Sequence, residues 1–560
     1  MVQIKGFMYD VSDGMKGGAD YIEKMMVRLS GYGYNMLVLY LEHCFQFPSH
    51  PAIGTNESLT PADIQRLDEV AAKLGMDLVP LVNIAGHTEG FGFLEAYKHM
   101  CADPTGQTRA VGQLLVDSKD SLQLLEELYA DIFATFKSKY IHIGADEIYT
   151  KYQLLDIPEE QRFAIAADRV IHMIELVKRK GRIPLLWGDM FLKNEETIAR
   201  IPDEAIICDW AYFSDPQFKG LSNVKSQQTL KNAGKKTVAF PAINHFYGNP
   251  VVSVNSTMNI TAFYQDHLDV FGDEALGTIL CVWGTEAGTF FTTSWPWLYL
   301  QGKLFAGEKS QGMDFMREYT RLEWGVDTNG LAEWYDLVDV QVQKVLLFEA
   351  ITDDGVRNAV QGYNNRPYKL LRLFVRDVFR MENPLPVLND ARKWMTPKVR
   401  AELRTIFEKA VHVAERMHSQ AQSRQEEPRM LLEWTHLFIH VLNLLDQLEQ
   451  AGLHYNQAAR HQGLDQERYA SSLADCVKCL RQMEQTMGAL IRWAELSIEL
   501  EDSADYESWW VREGQGHIRR MADELETGKS GRRGLVNFEV FIRINPSVPF
   551  AGRRWKMLAH

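Results

Sequence analysis

The sequence predicts an α/β protein in which a (β/α)8 TIM barrel is followed by an all-helical C-terminal domain. Through the first three hundred residues, short apolar runs alternate with longer amphipathic stretches, a pattern typical of parallel strands joined by helices. Eight such runs match the usual size of one closed barrel. After about residue 330 the alternation gives way to amphipathic helix. We therefore expect a barrel over residues 1–330, a helical domain over residues 331–530 and a strand-like tail over residues 531–560.

The predicted strands are short and apolar, and amphipathic helices lie between them. The strands are Ile4–Asp10, Met36–Glu42, Asp77–Ile84, Tyr140–Ile143, Ile183–Trp187, Ala205–Trp210, Thr237–Ile243 and Gly277–Trp283. The helices include Ala19–Leu29, Pro61–Leu74, Leu122–Phe136, Gln161–Lys180 and Thr257–Phe271. Thr60 as N-cap with Pro61 at the first helical position marks one helix start. A doubly wound open sheet is the alternative, but no glycine-rich phosphate turn follows the first strand.

Composition and charge exclude several classes of protein. The chain has 560 residues and a formal net charge of −14, the wrong sign for a polyphosphate partner, so we expect no nucleic acid. No run approaches eighteen apolar residues and the start lacks a signal-peptide pattern, so we expect no membrane partner and a cytoplasmic location. The six cysteines are scattered, and we expect reduced thiols.

Polar and aromatic side chains follow the ends of all eight predicted strands, where the mouth of such a barrel holds its active site. They are Asp10, Glu42, His43, Asn83, His87, His142, Asp146, Glu147, Trp187, Asp189, Asp209, Trp210, Asn244, His245, Tyr247, Trp283 and Glu286. Indoles cover the apolar face of a sugar ring while carboxylates bind its hydroxyls, so the mixture predicts a carbohydrate pocket. Singly, each Trp could be core and each acid a helix cap, but eight strand ends together favour a pocket.

The sharpest local signal is the segment from His142 to Glu147, HIGADE. Its adjacent carboxyls, Asp146 and Glu147, could differ in pKa so that one is a protonated acid and the other an anion. In an ordinary retaining glycosidase the two carboxyls face each other across the sugar, about 5–5.5 Å apart. Neighbours on one loop are poorly placed for that geometry. Their adjacency indicates that both act from one side and that the substrate supplies the nucleophile.

Motifs in strand order resemble the glycoside hydrolase family 20 β-N-acetylhexosaminidases over about residues 6–304. The family hallmark, His-x-Gly-(Gly/Ala/Met)-Asp-Glu after the fourth strand, is matched by residues 142–147. The other matches are Gly6–Ser12, Leu39–His43, Val79–Leu81 with Gly86–Thr88, Leu186–Met190 and Val282–Glu286. Six motifs in the right order are far more specific than one.

The resemblance implies substrate-assisted catalysis with retention, in which the sugar's acetamido oxygen attacks the anomeric carbon and forms an oxazolinium ion. It implies that Glu147 is the general acid/base and that Asp146 orients the acetamide and stabilises its charge. His87 and His142 would hold the carboxyls, the indoles would enclose the acetamide, and Glu286 would bind distal hydroxyls. The implied substrate-binding residues are Lys5, Glu42, His87, His142, Trp187, Trp210, Tyr247, Asn249, Trp283 and Glu286.

The same resemblance implies no metal and no other cofactor. The expected partners are N-acetylhexosamine-containing oligosaccharides or glycoconjugates, and a homodimer is left open. Two positions depart from the family pattern: Lys5 stands where an Arg usually forks two ring hydroxyls, and Asn249 stands where an Asp follows the seventh strand. Since both would lie near the 4-hydroxyl, we predict that β-N-acetylgalactosaminides are cleaved at least as well as the gluco epimers.

Two other functions fit parts of the pattern. A metal hydrolase could use His87, His142, Asp146, Glu147 and Asp189, but no His-x-His or His-Glu-x-x-His spacing occurs near them. A non-catalytic sugar-binding barrel would keep the indoles but would gain nothing from an acid with a raised pKa. In the helical region, the pairs Cys476/Cys479 and Trp509/Trp510 are expected to pack between helices.

Overall fold

Parallel strands close into a barrel in the first half of the chain. The computed structural model describes residues 2–12, 18–56, 58–92, 94–103, 110, 112–149, 153–154, 156–192, 195–212, 223–244, 255–283, 291–310, 312–342, 344–345, 396–501 and 507–527. The strands are β1 Ile4–Asp10, β2 Met36–Tyr40, β3 Asp77–Leu81, β4 Tyr140–His142, β5 Ile183–Trp187, β6 Ile206–Trp210, β7 Lys236–Phe240, β8 Ala242–Asn244 and β9 Gly277–Val282. From β1 to β7 each strand pairs with the next, and the pairing of β9 with β1 closes the sheet. The predicted TIM barrel is confirmed.

The segments β7 and β8 together occupy the seventh position of the barrel, because Pro241 interrupts that strand. Both segments pair with β9, and the register shifts within β8. Proline has no N–H to donate to a sheet. Its carbonyl still accepts from the Cys281 N–H at 2.9 Å, and the next N–H, of Ala242, turns to Asn259 Oδ1 at 2.9 Å. The predicted strand Thr237–Ile243 is therefore two short strands with a bend between them.

Helices connect the strands and follow the last of them. They are α1 Ala19–Gly31, α2 Pro61–Leu74, α3 Glu89–Gly92, α4 Lys119–Thr135, α5 Glu159–Arg179, α6 Glu195–Arg200, α7 Asn223–Asn232, α8 Asn255–Phe271, α9 Trp295–Phe305, α10 Asp314–Glu323 and α11 Gly330–Tyr335. Helix α2 begins as predicted: Thr60 Oγ1 accepts from the Asp63 N–H at 3.1 Å, and Asp63 accepts from the Thr60 N–H at 2.9 Å. This capping box fixes the helix start.

The strands separate two apolar clusters. Along β1, Phe7 and Tyr9 face the helices, whereas Ile4 and Met8 face the interior of the barrel. This alternation is the period-2 pattern of a strand. Further along the sheet, Trp187 is fully buried in the interior cluster. The interior is thus a packed core rather than a channel, and chemistry is confined to the loops at its mouth.

Four long helices follow the barrel: α12 Pro397–Gln420, α13 Glu426–His461, α14 Gln466–Glu501 and α15 Glu507–Thr527. Each packs against the next, which confirms the predicted helical region. All six cysteines are free, and Cys476 and Cys479 lie on α14. The side chains of Trp509 and Trp510, and the tail over residues 531–560, lie outside the described residues. No helix within the described ranges is long and apolar enough to cross a membrane.

A buried ion cluster, which we call the α1–α13 clamp, fastens the helical region to the barrel. Arg28 of α1 lies 2.6 Å from Glu427 of α13 and 2.8 Å from Glu323. Tyr319 Oη and Trp324 Nε1 donate to the same Glu427 carboxylate, at 2.5 and 2.9 Å. The side chains of the three charged residues are at least nine-tenths buried. Buried charges require such pairing, so the barrel and α13 depend on each other here.

Candidate active site

The loop after β4 carries Asp146 and Glu147 on an unusual backbone. Gly144, Ala145 and Glu147 have φ values of +68°, +81° and +44°. A side chain in this left-handed region costs about 1–3 kcal/mol, and such strain often marks a functional site. At Gly144 the cause is visible, because a Cβ there would lie 1.6 Å from Asn83 Oδ1. Only glycine lets the loop approach the end of β3 this closely.

Neighbouring elements hold the backbone of this loop. The Glu147 N–H donates to Asp189 Oδ2 at 3.2 Å, and the Glu147 carbonyl accepts from Gln113 Nε2 at 3.1 Å. On the β3 side, a Cβ at Gly86 would lie 2.3 Å from the Asp146 carbonyl oxygen. The backbone of both acidic residues is therefore held by contacts within the fold.

One imidazole contacts both carboxyl groups. Nε2 of His87 lies 3.1 Å from Glu147 Oε2 and 3.7 Å from Asp146 Oδ2, while Nδ1 lies 4.0 Å from Glu89 Oε1. Burial alone would lower the pKa of His87, but the negative charges of Asp146, Glu147 and Glu89 outweigh it and hold this pKa well above 6.5. The surrounding carboxyl groups thus favour the protonated form of His87. His87 thus lies between the two carboxyl groups, while its predicted contact with substrate stays a prediction.

Asp146 and Glu147 have different environments. Asp146 is 7 % exposed, whereas 42 % of the Glu147 side chain is exposed. Burial raises the pKa of Asp146 to about 7, with Asp189 and Glu147 adding to the rise and the His87 charge opposing it. The Oδ1 atom of Asp146 has no hydrogen-bond partner among the described residues. A buried acceptor without a partner is available to a ligand N–H or O–H.

Three indoles, Trp187, Trp210 and Trp283, lie at the ends of β5, β6 and β9, and we call them the indole wall. Trp187 is fully buried, 6.0 Å from Trp283 between ring centroids. Trp210 is half-buried, and its Nε1 donates to Asp189 Oδ1 at 3.4 Å. The wall offers flat apolar surfaces next to charged groups, the combination that suits a sugar carrying an apolar substituent.

His142 does not hold a carboxyl group, which corrects the prediction for this residue. Its Nδ1 accepts the Gly144 N–H at 3.0 Å, and its Nε2 has no partner within the described part of the chain. Burial lowers the pKa of His142 to about 3, so the ring is neutral. It packs 4.5 Å from Trp187 between ring centroids. Its role is to shape the loop and support the indole wall.

Glu42 supports a neighbouring loop. It is 2 % exposed and accepts from Tyr40 Oη at 2.9 Å and from the Gly90 N–H at 3.1 Å. A Cβ at Gly90 would lie 2.7 Å from Glu42 Oε2, so the packing is close. As placed, Glu42 positions the loop that carries His87, while its predicted contact with substrate stays a prediction.

Lys5 lies away from the mouth, which corrects its predicted contact with substrate. It belongs to the first half of β1, whereas the mouth lies at the end of the strand. Its ammonium group is 6.0 Å from the Phe305 ring centroid on α9. Strand alternation explains the error, since residue 5 shares the outward face with Phe7. The predicted site residues Tyr247, Asn249 and Glu286 lie outside the described residues.

Asp209 also faces outward, although it is the next-to-last residue of β6. It is 2 % exposed and accepts from Ser226 Oγ of α7 at 2.8 Å. Burial raises its pKa to about 7. It therefore lies between β6 and a helix and contributes no group to the mouth.

Sequence reasoning missed two tyrosines. Tyr212 Oη accepts from Trp283 Nε1 at 2.7 Å, and its ring stacks on Trp210 with a centroid distance of 5.1 Å and an angle of 25°. Tyr40 packs edge-on against Trp283 at 5.6 Å. Tyr212 follows Trp210 by two residues, and this spacing would have placed both on one side of an extended segment.

Among the described residues no three His, Cys, Asp or Glu side chains are arranged to hold a metal ion. The alternative of a metal hydrolase therefore gains no support from the residues proposed as its ligands. That the protein needs no metal stays a prediction.

The fourth strand of this α/β barrel leads into a loop with two adjacent carboxyl groups, at the mouth where such barrels hold their active sites. Residues 46–283 match the family model described as glycosyl hydrolase family 20, catalytic domain. This part of the barrel thus matches the catalytic domain of that family, and the sequence resemblance is confirmed. The match includes the loop of Asp146 and Glu147 and ends at Trp283.

Two relatives match part of the chain at low identity. A beta-hexosaminidase 1 of Coccidioides posadasii is 23% identical over 256 residues, which is 40% of this chain and 41% of that protein. A lacto-N-biosidase of Bifidobacterium bifidum is 21% identical over 332 residues, which is 57% of this chain and 28% of that protein. The chain thus spans less than half the length of these relatives.

Solved structures also resemble part of the chain. A beta-N-acetylhexosaminidase from Bacteroides fragilis has 17% identity and a TM-score of 0.43, covering 57% of this chain and 69% of its own. The enzyme from Streptomyces coelicolor has 17% identity and a TM-score of 0.41, covering 54% and 63%.

Proposed function

We propose that this protein is a retaining exo-β-N-acetylhexosaminidase, which removes terminal β-linked N-acetylglucosamine or N-acetylgalactosamine with the help of the sugar's own acetamido group. The observation that carries the proposal is the placement of Asp146 and Glu147 on one loop, with His87 in contact with both. Carboxyls on one loop approach a sugar from one side. The opposite side of the anomeric carbon is then open to an internal nucleophile.

Glu147 is the general acid/base in this proposal. Its side chain is partly exposed toward solvent, and the His87 Nε2 contact at 3.1 Å orients its carboxyl group. Protonated Glu147 gives its proton to the glycosidic oxygen as the C–O bond breaks. The resulting carboxylate then takes a proton from the water that opens the oxazolinium ion, so the sugar leaves with its β configuration retained.

Asp146 binds the acetamide N–H in this proposal. Its Oδ1 atom is buried and has no other partner in the described part of the chain. Because burial raises the pKa of Asp146 to about 7, its carboxyl is partly protonated and partly ionised at neutral pH in the free enzyme. An N–H donor stabilises the anion, and the positive charge of the oxazolinium ion stabilises it further. Asp146 therefore favours the transition state more than the free enzyme.

The indole wall surrounds the acetamide methyl group. Trp210 and Trp283 are half-buried and present ring surface to the methyl group, while Trp187 is fully buried and packs behind Trp283. Packing the methyl between rings places the carbonyl oxygen toward the anomeric carbon and excludes water from it. Holding the acetamide oxygen in this geometry lowers the entropic part of the activation free energy for its attack on the anomeric carbon.

The predicted preference between the galacto and gluco epimers rested on Lys5 and Asn249, and only one of these two residues still supports it. With Lys5 on the outer wall, the expectation that galacto substrates are cleaved at least as well as gluco substrates rests on Asn249. Specificity constants for the two aryl glycosides measure it. The natural substrates we propose are N-acetylhexosamine-containing oligosaccharides or glycoconjugates. The cytoplasmic location stays a prediction from the sequence.

The stereochemical course tests the proposal. Hydrolysis of 4-nitrophenyl N-acetyl-β-glucosaminide, followed by proton NMR from the first seconds, should show the β-anomer before mutarotation. The matched control substrate is 4-nitrophenyl β-glucoside, which lacks the acetamide and should be cleaved at a negligible rate. An α-anomer formed first, equal rates on both substrates, or activity that a chelator abolishes and zinc restores would contradict the proposal.

A further inference from the structure

Tyr212 connects two members of the indole wall that come from different strands. Its hydroxyl oxygen accepts the Trp283 Nε1–H at 2.7 Å, and its ring lies nearly parallel to that of Trp210, with centroids 5.1 Å apart. Trp210 ends β6, whereas Trp283 follows β9, and β7 lies between these strands. Tyr212 therefore fixes the distance between two rings whose own strands do not touch.

The hydroxyl of Tyr212 has a second partner besides Trp283. Burial raises its pKa well above its ordinary value, so the phenol is neutral, and it shares a hydrogen bond with the thiol of Cys281. Cys281 lies inside the barrel, and its sulfur donates to the Pro241 carbonyl at 3.3 Å. The acceptor for Trp283 is thus itself anchored in the barrel interior.

The same wall is connected to the loop of the carboxyl groups. Trp210 Nε1 donates to Asp189 Oδ1 at 3.4 Å, and Asp189 Oδ2 accepts the Glu147 N–H at 3.2 Å. A change in the position of Trp210 would therefore reach the backbone of Glu147 through one carboxylate. Tyr212 stands at the other end of this series of contacts.

We propose that Tyr212 is a positioning residue that sets the width of the pocket for the sugar's 2-acyl group by holding Trp283 and Trp210 at a fixed separation. The inference rests on the proposed function and adds a determinant of acyl selectivity to it. Without the hydroxyl, the Trp283 N–H loses its acceptor and the ring is free to turn. The pocket then holds an acetyl group less tightly and admits a longer acyl group more easily.

Kinetics on an acyl series test this role. The substrates are 4-nitrophenyl β-glucosaminides carrying N-acetyl, N-propionyl or N-butyryl groups. In the wild type each added methylene should lower kcat/KM by about tenfold or more, the usual discrimination of a tight apolar pocket. In Tyr212→Phe the acetyl-to-propionyl ratio should fall by about tenfold. The loss on the acetyl substrate should appear mainly in KM, since the carboxyls stay in place.

Tyr129→Phe is the matched control. Tyr129 is fully buried and its hydroxyl donates to the Val82 carbonyl at 2.6 Å, behind the barrel wall. This variant loses a comparable hydrogen bond and should keep the wild-type acyl ratio. Trp283→Phe removes the donor of the Trp283–Tyr212 bond. The double variant with Tyr212→Phe should have the same acyl ratio as Trp283→Phe alone, since both changes remove one interaction.

A binding measurement separates this inference from the proposed function. Dissociation constants of free N-acetyl- and N-propionylglucosamine, measured by tryptophan fluorescence, report acyl selectivity even without turnover. An inactive wild type that still prefers the acetyl sugar would contradict the proposed function. The role of Tyr212 would then be tested by comparing the ratio of the two dissociation constants in the wild type and in Tyr212→Phe. An unchanged acyl ratio in Tyr212→Phe, by kinetics or by binding, would overturn the role of Tyr212. So would an equal change in Tyr129→Phe.

Discussion

Nε2 of His87 lies 3.1 Å from Oε2 of Glu147. The same nitrogen is 3.7 Å from the carboxyl of Asp146, so one imidazole serves two neighbouring acids. The acids differ in exposure, with Asp146 buried and Glu147 partly open to solvent. Adjacent residues on one loop can therefore take different roles: one stabilises charge inside the pocket and the other exchanges protons at its edge.

Replacing Glu147 should separate substrates by their leaving groups. Glu147→Gln should lower kcat by about 10²–10⁴-fold on natural glycosides, the usual value of a general acid/base. The loss should be smaller on aryl glycosides, whose leaving group needs no proton. Asp146→Asn is the matched control. It should lower kcat on natural and on aryl glycosides alike, because Asp146 acts on the acetamide. Rates on the two kinds of glycoside decide this, and equal leaving-group dependence in the two variants would refute the division of roles.

The acid limb of the pH profile should report Asp146. Because kcat/KM reflects the free enzyme and requires the Asp146 anion, it should fall as the pH drops below about 7. His87→Gln removes a positive charge that lowers the pKa of Asp146, so this limb should move to higher pH. His50→Gln is the control, since His50 pairs with Glu127 elsewhere. An acid limb that stays in place in His87→Gln would contradict the assignment.

The close contact at Gly144 should make this glycine irreplaceable. Gly144→Ala places a Cβ 1.6 Å from Asn83 Oδ1 and must displace the loop of the carboxyls, so activity should be lost. Gly181→Ala is the matched control, because Gly181 has a similar φ of +70° but open space around it. That variant should lose only about 1–3 kcal/mol of stability and keep its specific activity. Activity assays and thermal unfolding of both variants check this, and comparable activity in the two would show that the contact does not position the loop.

The α1–α13 clamp should contribute strongly to stability. Glu427→Ala leaves Arg28 short of one partner and leaves the Tyr319 hydroxyl and Trp324 N–H without their acceptor. We expect the free energy of unfolding to fall by about 3–5 kcal/mol, as for other broken buried pairs. Asp20→Ala is the control. It breaks the exposed Asp20–Arg66 pair, also 2.6 Å long, and should change stability little. Denaturant unfolding curves measure both, and equal changes would mean that the clamp is no stronger than a surface pair.

The barrel and the carboxyl loop could be predicted because they follow from local patterns. Apolar runs give the strands, Thr60 and Pro61 give a helix start, and the ends of parallel strands meet at one mouth. Lys5 could not be placed from its motif, since a motif names the strand but not the face that a residue occupies. Its face became clear only from the positions of Phe7 and Phe305.

Other features depend on contacts between distant parts of the chain. The Trp283–Tyr212 bond joins residues 71 positions apart, and no pattern around either residue announces it. The same holds for the neutral state of His142, which results from burial and from the Gly144 N–H. The break at Pro241 could have been predicted, because a proline inside a central strand signals an interruption.

The central claim is that the substrate's acetamide, rather than a protein carboxylate, attacks the anomeric carbon. The most direct measurement is kcat/KM for 4-nitrophenyl β-glucosaminides carrying N-acetyl, N-fluoroacetyl, N-difluoroacetyl and N-trifluoroacetyl groups. Fluorine withdraws electrons from the carbonyl oxygen and changes the size of the acyl group little. If that oxygen is the nucleophile, kcat/KM should fall steeply with each added fluorine. Rates that stay level across the series would show that the nucleophile belongs to the protein and would contradict the account.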